Sequence, residues 1–138
     1  FSSASNKAGQ NKYEQEVAGY IRTYVGTENI DSARTKLKRE IAFYSRHANY
    51  RNFFISCGFE NEMRSAESAL NLNDTDSAIK AISSNMQQEV AMIGTTAECH
   101  DQIERRISLG MSLPILAPFG VSHNIKVDYL NTVKAFAQ

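Results

Sequence analysis

Residues 94–119, GTTAECHDQIERRISLGMSLPILAPF, combine the two signals that decide the predicted fold. Thr95 with Glu98 three residues later forms a capping box, which predicts a helix over 96–109 that stops at Gly110. The apolar run over 113–119 does not alternate with polar residues, which is typical of a strand buried on both faces. Pro114 and Pro118 fit the first residues and the exit of that strand, because neither donates to a ladder. A capped helix followed by an apolar strand indicates an α/β architecture.

A first strand is predicted upstream, over 17–25, where β-branched and aromatic residues run up to Gly26. Asp31 or Ser32 can cap the helix that follows. Its apolar residues recur at helical spacing: Ala33, Leu37, Ile41 and Tyr44. The span 32–90 shows only helical patterns with a turn over 71–74, and no further strand is found between 49 and 94.

A helix over 124–137 closes the chain. Its predicted buried stripe is Ile125, Tyr129, Val133 and Phe136. At the other end, residues 1–9 are typical of the end of a helix running into a Gly stop, so we expect that something precedes Phe1. The whole chain, 1–138, is therefore interpreted as a single partial domain.

Composition excludes several classes of protein. The chain has 15 Lys plus Arg against 15 Asp plus Glu, so no basic stripe favours nucleic-acid binding. Two Cys are too few for a disulfide-stapled secreted scaffold. No apolar run approaches the length of a membrane span, and no signal segment opens the chain. We therefore expect a soluble cytoplasmic protein that binds neither nucleic acid nor a membrane.

Two strands joined by so long a crossover cannot make a stable sheet alone, because a parallel pair needs covered faces and further neighbours. Either the remaining strands belong to a larger barrel, or copies of the chain complete one another's sheets. We therefore expect a homo-oligomer or association through exposed strand edges.

Several segments together carry a family likeness. They are the strand over 17–26 followed by Ala33 and Arg34, the helix end Ala42-Phe43-Tyr44, Tyr50, Gly58-Phe59, Gly94-Thr95-Thr96-Ala97-Glu98, Ile103, Gly110 and the strand over 113–118. In this order they resemble the C-terminal part of the luciferase-like monooxygenase superfamily. The resemblance covers only the last third or so of a family member. It implies the C-terminal portion of a (β/α)8 TIM barrel, in which two strands flank a mainly helical insertion.

The resemblance also implies a function. Members of the family bind FMN or the deazaflavin coenzyme and place its ring against a small-molecule substrate or oxygen, so the parent would be an oxidoreductase or monooxygenase. A barrel needs roughly 250 residues, so we expect no catalysis from the isolated chain. The alternative is a non-catalytic helical interaction module that oligomerises through its apolar segments.

The candidate pocket residues lie on or just after the two strands. Tyr24, Phe119 and Gly120 lie where the strands exit, the end at which barrels assemble active sites, and His123 follows the last strand. Arg22 is a charge in an apolar strand, which either pairs with a carboxylate outside the chain or serves the pocket. No catalytic residue is assigned.

We interpret the other notable side chains as structural. Cys99 and Cys57 are interpreted as small apolar core residues. The three histidines, at 47, 100 and 123, have no metal-ligand spacing, so no metal site is predicted. Helix packing is favoured over a flavin-binding wall for the aromatic set, which is Phe43, Tyr44, Tyr50, Phe53, Phe54 and Phe59.

Overall fold

Three parallel strands form one open sheet in the computed structural model, which describes residues 16–137. The strands are β1 (Ala18–Val25), β2 (Ala91–Gly94) and β3 (Leu113–Pro118), and their order is β2-β1-β3. A mixed α/β fold is therefore confirmed. A portion of a (β/α)8 barrel is not shown, because strands of a barrel follow one another side by side in chain order. Here β1 lies between the other two.

Seven helices within the described residues surround this sheet. They are α1 (Ile30–Tyr44), α2 (Ala48–Ser56), α3 (Glu60–Asn71), α4 (Thr75–Ala81), α5 (Ser84–Val90), α6 (Thr96–Ser108) and α7 (Ile125–Phe136). The helix end predicted over 1–9 lies outside the described residues.

The central strand β1 separates two cores, because successive side chains of a strand point to opposite faces. Tyr24 belongs to the larger core, beneath the helices α1 to α5, whose fully buried side chains include Leu37, Met63 and Met86. Ile21 and Val25 belong to the smaller core. That core also contains Met92, Cys99, Ile103, Leu116, Ala135 and Phe136. Helices therefore cover both faces of the sheet at the carboxyl end of β1.

The strand β2 contradicts the prediction of no strand between 49 and 94. Its four residues are all buried, and the N–H of Gly26 donates to the carbonyl of Gly94 at 3.0 Å. The strand follows α5 directly, without turn residues, so its apolar side chains continue the helical stripe of Ile82, Met86 and Val90. So short a run could not be told from the end of a helix by periodicity.

The strand β3 lies at a sheet edge. None of its six residues is fully buried, so the prediction that it is buried on both faces is wrong. Leu113 is 44% exposed and Ile115 is 45% exposed, because no described helix covers that end of the face. Leu113 donates its N–H to the carbonyl of Val17, just before β1, and Phe119 donates to that of Thr23 in β1. The N–H groups of the even-numbered residues of β3 therefore point away from β1. Since two of these are Pro114 and Pro118, only Leu116 offers a backbone donor to the free edge.

Two helix starts also differ from the predictions. Asn29, with a left-handed φ of 57°, precedes α1 and makes no side-chain cap, while Asp31 lies in the first turn. The helical pattern that follows the turn over 71–74 is divided into α4 and α5, because Ser83 accepts the N–H of Met86 and starts a new helix. By contrast, the capping box of Thr95 and Glu98 is confirmed at the start of α6.

Three of the four residues in the stripe predicted for α7 are turned outward, which is a correction, whereas Phe136 packs against the smaller core. Ile125, Tyr129 and Val133 are 49%, 43% and 56% exposed. Asp128 and Thr132 are buried instead. Both accept backbone N–H groups: Asp128 from the loop after β3, and Thr132 from Val25 at 3.4 Å. Hydrogen bonding at the ends of the strands therefore decides which face of α7 is inside.

Candidate functional site

The carboxyl ends of β1 and β3 meet where the strand order reverses. In open α/β sheets such a switch point is the usual place for a ligand crevice. The structure brings Tyr24, Phe119 and Gly120 together at this corner, as their positions at the strand exits suggested. His123 is exposed on the loop beyond and is not part of the corner.

This corner is closed by packing. Tyr24 and Phe119 are each 2% exposed, and their ring centroids lie 5.8 Å apart. The Tyr24 hydroxyl donates to the carbonyl of Glu28 at 2.9 Å. Burial, followed by the charge of Asp128, raises the pKa of that hydroxyl. These two rings extend the larger core and do not line an opening.

Gly120 holds the loop after β3 close to α7. A Cβ at this position would lie 2.8 Å from Cγ2 of Ile125 and 3.1 Å from Oδ2 of Asp128. Lys36 Nζ donates to the carbonyl of Gly120 at 2.9 Å, which ties the loop to α1. A side chain at 120 would therefore push α7 away from the corner.

Asp128 closes the same loop. Its Oδ2 accepts the backbone N–H groups of Val121 and Ser122 at 2.8 and 2.9 Å. Burial alone would raise the pKa of this carboxyl, but the hydrogen bonds from Ser122 and Val121 hold the pKa below its ordinary value. Its position in α7 could not be identified from sequence, because a lone Asp within an apolar helix pattern is normally solvent-exposed.

Arg22 finds its carboxylate within this chain. Its guanidinium donates to both carboxylate oxygens of Glu40 in α1, at 2.9 and 3.0 Å. It also lies 4.8 Å from the ring centroid of Phe119. The Arg22 and Glu40 side chains are 28% and 33% exposed, so the pair is partly open to solvent. The solvent-exposed side of the Arg22–Glu40 pair borders a groove.

This aromatic groove lies over the amino-terminal half of β1, between the end of α1 and α2. It measures about 670 Å³, and its aromatic members are Tyr20, Tyr44, Tyr50, Phe53 and Phe54, beside the Arg22–Glu40 pair. Tyr20 is 70% exposed, although it lies on the central strand of the sheet. The rings of Tyr44 and Tyr50 are 4.8 Å apart and tilted by 31°.

The exposure of these rings corrects the prediction that the aromatic set serves helix packing. Phe54 is 8% exposed in the larger core and Phe59 packs against that core, but Tyr50 and Phe53 are 53% and 59% exposed. Alternation along β1 already places Tyr20 and Arg22 on one face. The position of α2 above them depends on tertiary contacts, which cannot be inferred from the periodicity of the sequence.

A groove of this composition suits a flat, mostly apolar ligand with an electronegative edge. Aromatic walls bind planar rings by stacking, and a partly exposed guanidinium attracts carbonyl or anionic groups. The groove volume lies in the range of ordinary small-molecule sites. It is therefore the candidate functional site of the described part of the chain.

The cysteines differ from each other. Cys99 is fully buried, and burial followed by the charge of Glu98 raises its thiol pKa to about 11. Cys57 is exposed, so the prediction that it packs in a core is wrong; it follows the end of α2, beyond the face that carries Phe54. Within residues 16–137, no group of three or more metal-ligating side chains is arranged to hold a metal ion.

None of the helices between residues 16 and 137 is sufficiently long and apolar to span a membrane. No family model, curated protein or solved structure matches the chain. The aromatic groove and its residues are therefore the basis for a proposal of function.

Proposed function

We propose that this chain is the C-terminal part of a luciferase-like oxidoreductase that uses FMN or the deazaflavin coenzyme on a small-molecule substrate. The aromatic groove is the observation that carries the proposal, because it offers stacking surfaces and one guanidinium around a space of suitable size.

The residues of the groove fit the ring of such a coenzyme. Tyr50 and Phe53 would stack against its apolar face, while Arg22 would approach its polar pyrimidine edge. The bound ring supplies hydride transfer or oxygen activation, and the protein contributes position and charge. Arg22 remains tied to Glu40, which fixes the direction of its guanidinium. We expect the isolated chain to bind the ring without turnover.

The test is a titration of the purified chain with riboflavin, FMN and a 5-deazaflavin, followed by ring fluorescence and calorimetry. Phe53→Ala should weaken binding about two- to twelvefold, because an aromatic pair contributes about 0.5–1.5 kcal/mol. Phe43→Ala is the matched control, since Phe43 is 38% exposed on α1 but lies under Arg46 and does not line the groove.

Two results would contradict the proposal. One is the absence of any fluorescence change with all three compounds up to about 1 mM. The other is equal weakening by the variants at 53 and 43, which would indicate nonspecific adsorption to exposed rings. Turnover by the isolated chain with either cofactor would refute the expectation that it is inactive alone.

A second candidate function is a non-catalytic module that forms homo-oligomers, and α7 is the observation that favours it. Its exposed surface carries large apolar residues beside the polar Lys126, Asn131 and Lys134. The exposed apolar residues are Ile125, Val127, Tyr129, Leu130 and Val133, each at least 43% exposed. Exposed apolar patches commonly mark protein–protein contacts, so the exposed face of α7 is the proposed contact between copies. The edge of β3 is a poorer contact because its prolines remove backbone donors.

A further inference from the structure

A second opening, the edge cleft, lies beside β2 at the opposite side of the sheet from β3. It measures about 590 Å³. Arg34 and Gln87 line it from the α1 and α5 layer, whereas Arg105 and Arg106 line it from α6. Ile93 of β2 forms its floor. The cleft therefore lies along the free edge of the sheet, between two helical layers.

The backbone of Ile93 faces this cleft. The N–H of Gly26 donates to the carbonyl of Gly94, so the even-numbered residues of β2 turn their backbone groups toward β1. Because backbone groups alternate in direction along a strand, the N–H and C=O of Ile93 point away from β1 and toward the cleft. Outside the helices and the sheet ladder, no backbone hydrogen bond within residues 16–137 uses either group. Ile93 therefore presents one donor and one acceptor to an incoming chain.

The rest of the β2 edge is already occupied. Arg106 donates to the carbonyl of Ala91 at 3.1 Å and to that of Gln88 at 2.6 Å. The N–H of Ala91 bonds back to Gln87 at the end of α5. The backbone of an added strand would thus form its hydrogen bonds with Ile93. One end of that strand would lie beside the Arg106 guanidinium.

The charges around the cleft favour an acidic occupant. Three guanidinium groups face a single lining carboxylate, Glu98. That carboxylate is committed to the N–H and hydroxyl of Thr95. Arg34 is 49% exposed, and its ion pair with Asp31 is long, at 3.4 Å. Arg34 is therefore the guanidinium most available to a ligand, while Arg105 is shared with Glu89.

We propose that the edge cleft binds an extended peptide segment with acidic side chains, which pairs with Ile93 and adds a fourth strand beside β2. Addition of a strand to a free sheet edge gives affinity through main-chain hydrogen bonds, and flanking side chains give specificity. The guanidinium of Arg34 selects carboxylates. This binding is independent of the flavin proposal, because the aromatic groove shares none of the residues named for the cleft.

The test uses a fluorescein-labelled peptide of alternating Val and Glu, with a Val and Lys peptide of equal length for comparison, and measures fluorescence anisotropy. Only the acidic peptide should bind. Arg34→Glu should weaken its binding about fivefold or more, because a charge of opposite sign is introduced at the contact. Arg64→Glu is the matched control, since Arg64 is an exposed arginine paired with Glu60 on α3, outside the cleft.

Amide exchange then locates the peptide. Saturation with the acidic peptide should slow exchange of the Ile93 amide and leave the Leu116 amide, the donor at the free edge of β3, unchanged. N-methylation of alternate peptide residues should abolish this protection, because it removes the main-chain donors.

Four results would overturn the proposal. They are equal affinity for the lysine peptide, an equal loss in the Arg64 variant, unchanged exchange at Ile93, and full competition by free glutamate at the peptide's own concentration. The last result would identify a small-carboxylate site.

Discussion

Asp128 shows at the residue scale how one buried carboxylate joins the loop after β3 to α7. We expect Asp128→Asn to lower the free energy of unfolding by about 1–3 kcal/mol at neutral pH, since two backbone N–H groups lose a charged acceptor. Chemical denaturation measures the effect. Asp101→Asn, at an exposed position on α6, is the control.

The pH dependence of this difference follows from the lowered pKa. A carboxyl with a folded-state pKa below its ordinary value of 3.8 stabilises the protein above that value. The stabilisation is lost as pH falls through the folded-state pKa. The gap between the wild type and Asp128→Asn should therefore shrink below about pH 4. A gap that stays constant from neutral pH into this acid range would contradict the charged role of Asp128.

The two cysteines give a second prediction at this scale. At about pH 8, Ellman's reagent should modify Cys57 rapidly and Cys99 only on unfolding, because Cys99 is buried and its thiol pKa is raised to about 11. Cys57→Ser should remove the fast phase, and denatured protein should release two equivalents. Two fast thiols in the native chain would show that the smaller core does not bury Cys99.

Arg22 and His123 illustrate what could be inferred about single residues. A charge within an apolar strand required a partner, and Glu40 supplies it from the same chain. The sequence could not identify that partner, because 18 positions separate the two residues and only the packing of α1 on β1 brings them together. No comparable local rule applied to His123, which lies in an exposed loop.

At the scale of elements, the capping box starts α6 independently of tertiary contacts. Thr95→Ala should destabilise the fold by about 1 kcal/mol, because the N–H of Glu98 loses its acceptor. Thr95→Ser keeps the hydroxyl and serves as the control. Thermal or urea unfolding gives the comparison, and equal stability of the alanine and serine variants would show that the cap contributes nothing.

Elements with such local signals were predictable, whereas β2 and the orientation of α7 were not. The strand β2 is stabilised by hydrogen bonds to β1, some 70 residues away along the chain. The face that α7 buries depends on Asp128 and Thr132 meeting backbone donors of other segments. Neither contact can be predicted from hydrophobic periodicity.

At the scale of the whole molecule, the exposed face of α7 leads to a prediction about mass. Sedimentation should give a species of about twice the 15.4 kDa monomer. Leu130→Glu with Val133→Glu should return the chain to a monomer, because charges would be buried in the contact. Ile107→Glu, at a 49% exposed apolar position on α6, should leave the mass unchanged. A monomeric wild type would refute contact through α7.

The amino-acid sequence by itself determined the mixed α/β class, most helices and the two longer strands, because caps, glycine stops and periodicity act over a few residues. Tertiary structure alone decided the strand order β2-β1-β3, the short strand β2, the open aromatic groove over Tyr20 and the inward turn of Asp128. Each of these depends on hydrogen bonds or packing between segments far apart in the chain. Such contacts leave no periodic signal in the residues that make them.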